Sequence, residues 1–272
     1  MEDVASFARL VEAIRPWLPH VVIVGGWAHR LHRLHPLATA LPYQPLRTRD
    51  VDLAFSPLAP LTGDLKQALT KAGFKEELSG ESTPPVTHYA LGEEESGFYA
   101  EFLTVLKGDG LRRGGQRDLT MAKAGITAQK LRYLEVLLIA PWSIRLASNT
   151  DVPTNQPIDL LVPNPVSFMI QKFLIHDRRD VHKKAQDVLY IHDTLQLFGA
   201  SLENLRTVWE GEVRPKVPAR TVKTAMRIAN ELFENVTDVI RESSRIPQDR
   251  TLQPENIRAA CRYGLAEVFN PA

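Results

Sequence analysis

The sequence predicts an α+β fold: a mixed sheet with helices over residues 1–163, followed by an all-α region over residues 164–272. Three observations predict it. Short β-branched and aromatic runs bounded by Gly and Pro alternate with amphipathic stretches as far as Pro163. The apolar run His20–Val24 breaks into Gly25-Gly26 and passes directly into a helical pattern. Beyond Pro163 only the 3.6-residue period remains, in successive segments with helix start and stop signals.

Val4 to Leu18 places Phe7, Leu10, Val11 and Ile14 on one helical stripe, which Pro16 and Pro19 close. After the His20–Val24 strand, Trp27 to His35 predicts a helix with Ala28, Leu31 and Leu34 or His35 inward and Arg30 and Arg33 outward. Pro36, Pro42 and Pro45 mark a loop leading to the strand Asp50–Phe55. Thr62–Ala72 reads as a helix stopped by Gly73, Phe74–Leu78 as a short strand and Ser79–Pro85 as a turn. Thr87–Leu91 and Phe98–Leu106 predict antiparallel strands joined by the acidic turn Gly92-Glu93-Glu94-Glu95. Gly108–Gly115, with Arg112, Arg113 and the following Arg117, is an exposed basic loop, either simply solvated or a contact for an RNA backbone. Leu131–Leu138 fits helix or strand; Ser143–Leu146 and Ile158–Val162 are further strands. In the second region Pro165 suits a helix start for Val166–Ile175. His182–Phe198, a serine-capped Ser201–Trp209, one long helix Pro218–Arg241 and Pro254–Val268 follow.

Bulk composition narrows the function classes. A hydrophobic fraction of 44% and a charged fraction of 24% are those of an ordinary globular chain. With a net charge of +1 there is no global basic field, so a nucleic-acid partner needs a local patch. The lone Cys261 excludes an internal disulfide and a cysteine-based zinc cage. No signal-peptide pattern opens the chain, and no apolar run reaches the about 18 residues of a membrane span. A cytoplasmic protein with no membrane partner is expected.

Candidate chemistry centres on Val21–Leu53. Residues two apart on a strand share a face, so Asp50 and Asp52 present two carboxylates together. Such a pair repels itself unless a cation intervenes, which suits Mg²⁺; an exposed Asp-x-Asp at a strand edge is the alternative. Glu101 lies in Phe98–Leu106, a strand apolar on both faces, where an unpaired carboxylate costs several kcal/mol. Coordination beside Asp50 and Asp52 removes that cost, as would pairing with Arg47 or Arg49. Gly25-Gly26 before a helix lets the backbone approach a triphosphate, with N–H groups facing anionic oxygens.

These residues resemble the DNA polymerase β-like nucleotidyltransferase superfamily, with Gly25-Gly26 before a short helix, Asp50-x-Asp52 on the next strand and Glu101 on a later one. Within it the chain looks like bacterial proteins related to abortive-infection and toxin–antitoxin nucleotidyltransferases. Further matching pieces are Arg47–Leu53, Ala128–Leu134, Val162–Pro165, Gln171–Arg179 and Lys183–Asp187, and the likeness runs from about residue 20 to 200. The resemblance implies a polymerase β-like fold, NTP as substrate and Mg²⁺ held by Asp50, Asp52 and Glu101 as the catalytic carboxylates. It implies nucleotide contacts from Gly25, Gly26, Arg49, Lys172, Arg178 and Asp187, with Lys172 on the phosphates and Asp187 closing the pocket. Arg179 and Lys183 would lie nearby, unless these charges form only a solvated helix face. The usual serine after the first glycine is Gly26 here, and the third carboxylate is glutamate rather than the commoner aspartate.

The expected function is transfer of NMP from an NTP to an acceptor hydroxyl of RNA or protein, toxin-like, with release of pyrophosphate and an antitoxin as a further partner. The alternative is a non-catalytic binding or regulatory module on the same fold. Three other features carry less: His29, His32 and His35 are spaced poorly for one zinc ion, His176, His182 and His192 are scattered, and Trp27 suits a core better than a base stack.

Overall fold

The computed structural model describes residues 2–80, 82, 84–92, 97–111, 115 and 117–269. Glu93–Glu95 of the acidic turn and Arg112 and Arg113 of the basic loop lie outside the described residues. The chain forms two compact units, one of residues 1–34 and 47–163, the other of residues 35–46 and 164–272. Their elements make an α+β protein with a nine-stranded mixed sheet and a C-terminal helical region.

In the first unit α1 (Glu2–Ala13) buries Phe7, Leu10 and Val11, as its stripe requires. Pro16 and Pro19 end the α-helix and the chain continues as a 3₁₀ turn through Arg15–His20. β1 (Val22–Val24) runs into α2 (Gly25–Leu31), then β2 (Asp50–Phe55). α3 (Leu65–Lys71) starts at Asp64, whose carboxylate accepts from the Gln67 N–H at 2.8 Å. β3 (Lys75–Ser79), β4 (Val86–Leu91) and β5 (Phe98–Val105) are successive antiparallel partners. A hairpin of β6 (Thr120–Lys123) and β7 (Ile126–Leu131) follows, then α4 (Leu134–Leu137), β8 (Trp142–Leu146) and β9 (Ile158–Val162).

The sheet order is β3-β4-β5-β2-β1-β9-β8, with β7 also on β5 and β6 on β7. β4 occupies the first half of one β5 edge and β7 the second half, while β2 pairs along the other edge. One sheet face thereby divides in two. Val22, Val24, Ala54, Leu103 and Val105 pack under Leu134 and Leu137 of α4. Asp50, Asp52, Tyr99 and Glu101 lie on that same face by strand alternation, at the other end of β2 and β5.

The β6–β7 hairpin was not anticipated. Its two-residue loop, Ala124-Gly125, has φ +50° and +79°, the sign pattern of a type I′ turn, but lacks the Asn-Gly or Asp-Gly signature. The ambiguous Leu131–Leu138 segment splits at Tyr133, at φ +63°, between the end of β7 and the start of α4. In α2 the inward face is Trp27, Ala28, His29 and Leu31, followed by His32, so two histidines are buried where Leu34 or His35 was expected.

The second unit contains α5 (Pro165–Ile175), α6 (Val181–Leu197), α7 (Leu202–Val208), α8 (Ala219–Glu234), α9 (Asp238–Arg245) and α10 (Pro254–Phe269). Asn164 caps α5, its side-chain oxygen accepting from the Ser167 N–H at 2.8 Å. The single long helix expected over Pro218–Arg241 is two helices. Asn235 turns extended at φ −130°, and Thr237 accepts from the Ile240 N–H at 3.4 Å to begin α9. The apolar stripe persists across the break, so periodicity alone conceals it. Ser201 precedes α7 without capping it; its hydroxyl donates to the Leu37 carbonyl at 3.1 Å instead. Residues 35–46 pack in this unit through Thr39 N–H to Leu197 O at 2.8 Å and Gln44 N–H to Asp249 at 2.8 Å. Tyr43 donates to Asp193 at 3.3 Å, and Arg250 reaches the same carboxylate at 2.6 Å while lying over the Tyr43 ring.

Candidate functional site: carboxylates on β2 and β5 beside a glycine turn

Gly25 stands at the junction of β1 and α2 with φ +66°, a conformation that favours glycine. A methyl group there would overlap the Asp52 carboxylate. Val24 is the register partner of Asp52, so pairing of β1 with β2 brings the glycine turn against this side chain. The first turn of α2 has no side-chain cap.

β2 and β5 run parallel in a register that sets Asp50 opposite Tyr99 and Asp52 opposite Glu101. Paired residues point to the same face, so the register brings all three predicted carboxylates onto one patch. The Thr48 hydroxyl donates to the Asp50 carboxylate, restraining it just before β2. Burial, then repulsion from Asp50, raises the proton affinity of Glu101. Tyr99 is pushed up to about 12 by burial and by Asp50, Glu101 and Asp52 in turn. Among the described residues no group of three or more His, Cys, Asp or Glu side chains forms a metal cage. The three carboxylates share a face and repel one another. Carboxylate oxygens are hard donors, the kind that hard divalent cations take.

Glu101 pairs with a residue the sequence reading did not single out. His88 is its register partner on β4, with Nε2 3.4 Å from Glu101 Oε1, in place of the alternative pairing with Arg47 or Arg49. Arg47 and Arg49 are exposed. The signal for His88 existed, since β4 and β5 were expected as a hairpin. The length of the turn hid the register.

The remaining predicted residues fall in the other unit. Lys172 is buried on α5, with Nζ 2.7 Å from Asp187 Oδ1 and 5.2 Å from the ring centres of both Phe168 and Tyr190. Arg179 Nε lies 3.3 Å from the second Asp187 oxygen. The lysine and aspartate expected at the nucleotide thus neutralise each other, while Arg178 is exposed. The histidine spacing makes no zinc site: His32 Nε2 lies 2.7 Å from the Pro163 carbonyl oxygen, and His35 packs on Phe198 in the other unit. Trp27 is core, stacked on Phe7 at 3.9 Å.

A glycine turn thus packs on Asp52, one of two aspartates on a single face of β2, and Glu101 stands level with it on the neighbouring parallel strand. The family model described as Nucleotidyltransferase matches residues 2–213, and the chain belongs to that family. The match covers the sheet and runs through α7, leaving α8–α10 beyond it. No curated protein matches the chain. The protein is a nucleotidyltransferase, its family chemistry the transfer of NMP from an NTP, and divalent metal ions generally serve such enzymes. Among the described residues no helix is long and apolar enough to cross a membrane.

Proposed function

We propose that the protein transfers NMP from an NTP to an acceptor hydroxyl of RNA or protein, as in the toxin-like nucleotidyltransferases it resembles. In the transfer the acceptor oxygen forms a bond to the α-phosphorus, the bond from that phosphorus to the bridging oxygen of pyrophosphate breaks, and pyrophosphate leaves. The carrying observation is the register that puts Asp52 level with Glu101, with Asp50 one step along the same face.

Asp50, Asp52 and Glu101 are the groups that hold Mg²⁺ in this reading, and the cation supplies charge neutralisation for the phosphates and lowers the proton affinity of the attacking hydroxyl. Gly25 admits the Asp52 carboxylate against the backbone, and Gly26 follows it in the first turn of α2. Thr48 holds Asp50 in place for the same task. Arg49, next to Asp50 in the chain, remains an exposed cation available to phosphate; Arg178 is exposed on the helical unit. Lys172 and Asp187 enter as a buried pair that orders α5 and α6, rather than as phosphate contacts. The family's chemistry and the three-carboxylate face favour this enzyme over a non-catalytic module.

Titration calorimetry with Mg²⁺ and each NTP tests the reading. The wild type is expected to bind at least one NTP in a Mg²⁺-dependent manner, and Asp50→Ala/Asp52→Ala to lose that binding; equal binding by both would sink it. Incubation with labelled NTPs and a total cell extract then identifies the acceptor, with label in RNA or protein expected and label confined to small molecules overturning the acceptor assignment.

A further inference from the structure

We infer that His88 is a positioning residue that holds the Glu101 carboxylate in its working orientation; this rests on the reading of Asp50, Asp52 and Glu101 as the cation-binding site. Three contacts set the ring. His88 and Glu101 are direct partners across β4 and β5, with Nε2 3.4 Å from Oε1. The same Nε2 lies 3.2 Å from the Ser79 hydroxyl on β3, which holds the ring edge from the other side. The ring is stacked on Tyr99, with centres 5.9 Å apart and planes 26° from parallel, so its face is fixed as well as its edge.

In the tautomer with hydrogen on Nε2, the N–H donates to the Ser79 hydroxyl and presents the same positive ring edge to Glu101 Oε1 at 3.4 Å. Glutamate has one more rotatable bond than aspartate, and its carboxylate stands beside Asp50 and Asp52, which repel it. A ring edge fixed on the far side from the aspartates holds Oε1 there and so limits free rotation of the carboxyl group. Ser79, His88 and Glu101 thus form a lateral support running across β3, β4 and β5 on the face that carries the carboxylates.

Partners that orient metal-binding carboxylates typically change metal affinity by about 10- to 100-fold when removed. Mn²⁺ is the probe, titrated calorimetrically in the presence of whichever NTP the wild type binds. His88→Phe keeps a flat ring on Tyr99 and removes the donor, and is expected to weaken Mn²⁺ binding by about tenfold or more. His88→Gln returns an N–H near the same place and is expected to recover most of the loss. In the Glu101→Gln background His88→Phe is expected to cost little more, because residues acting through one another are not additive. Additive losses, or full Mn²⁺ affinity in a folded His88→Phe protein, would overturn the inference and leave the carboxylate site intact. Equal Mn²⁺ binding by wild type and Asp50→Ala/Asp52→Ala would instead remove the site on which it rests. Circular dichroism checks that each variant is folded.

Discussion

Glu101 shows what a single residue reveals about the site. Burial and Asp50 make its folded form hold a proton more tightly than the unfolded chain does. The folded state therefore binds more protons between the ordinary value of 4.5 and the raised one, so stability falls as pH rises through that window. Above it the cost of the charge is fully present. Without divalent cations, Glu101→Gln is expected to raise the urea midpoint at pH 7.5, with the gain shrinking toward zero as pH falls below 4.5. A midpoint unchanged or lowered at neutral pH would contradict this account. Lys172 gives the opposite lesson. Its type and helical position suited a phosphate contact, but a buried ammonium 2.7 Å from a buried carboxylate is already neutralised. The two residues sit on consecutive helices, so the packing of α5 against α6 discloses the pair.

At the scale of elements, strand identity was largely legible because alternation and β-branched runs report it directly. Asp50–Phe55 appears with its expected bounds, and the Phe98 strand with nearly its expected ones. Register was not legible. It decides that Asp52 faces Glu101, and it depends on how neighbouring strands slide into place. The β6–β7 hairpin escaped notice because its turn uses Ala124 at φ +50°, where an L side chain is strained. Ala124→Asn restores the Asn-Gly pair that such turns favour and is expected to raise stability by about 0.5–1 kcal/mol in chemical denaturation. The break between α8 and α9 was missed for a different reason. Thr237-Asp238 is a helix-start signal, but an apolar stripe that runs through it outweighs a cap in any periodicity count.

Across the whole molecule, the chain does not divide by a single cut. Residues 35–46 lie between α2 and β2 in sequence but pack in the helical unit. Their anchors, Leu197, Asp193, Asp249 and Arg250, all lie beyond Pro163. A fragment ending at Pro163 lacks all of them. Chymotrypsin is therefore expected to cut that fragment quickly at Leu41 or Tyr43, while the full chain resists at the same bonds; equal rates, followed by mass spectrometry, would refute the anchoring.

The sequence by itself determined the α+β class, the glycine turn and the three carboxylates, because each depends on local pattern: strand alternation, glycine before a helix, an acid within an apolar run. Tertiary structure decided that Gly25 packs on Asp52, that His88 rather than an arginine meets Glu101, and that Lys172 is neutralised by Asp187. Those outcomes depend on strand register and helix packing, which bring together residues that no local spacing connects.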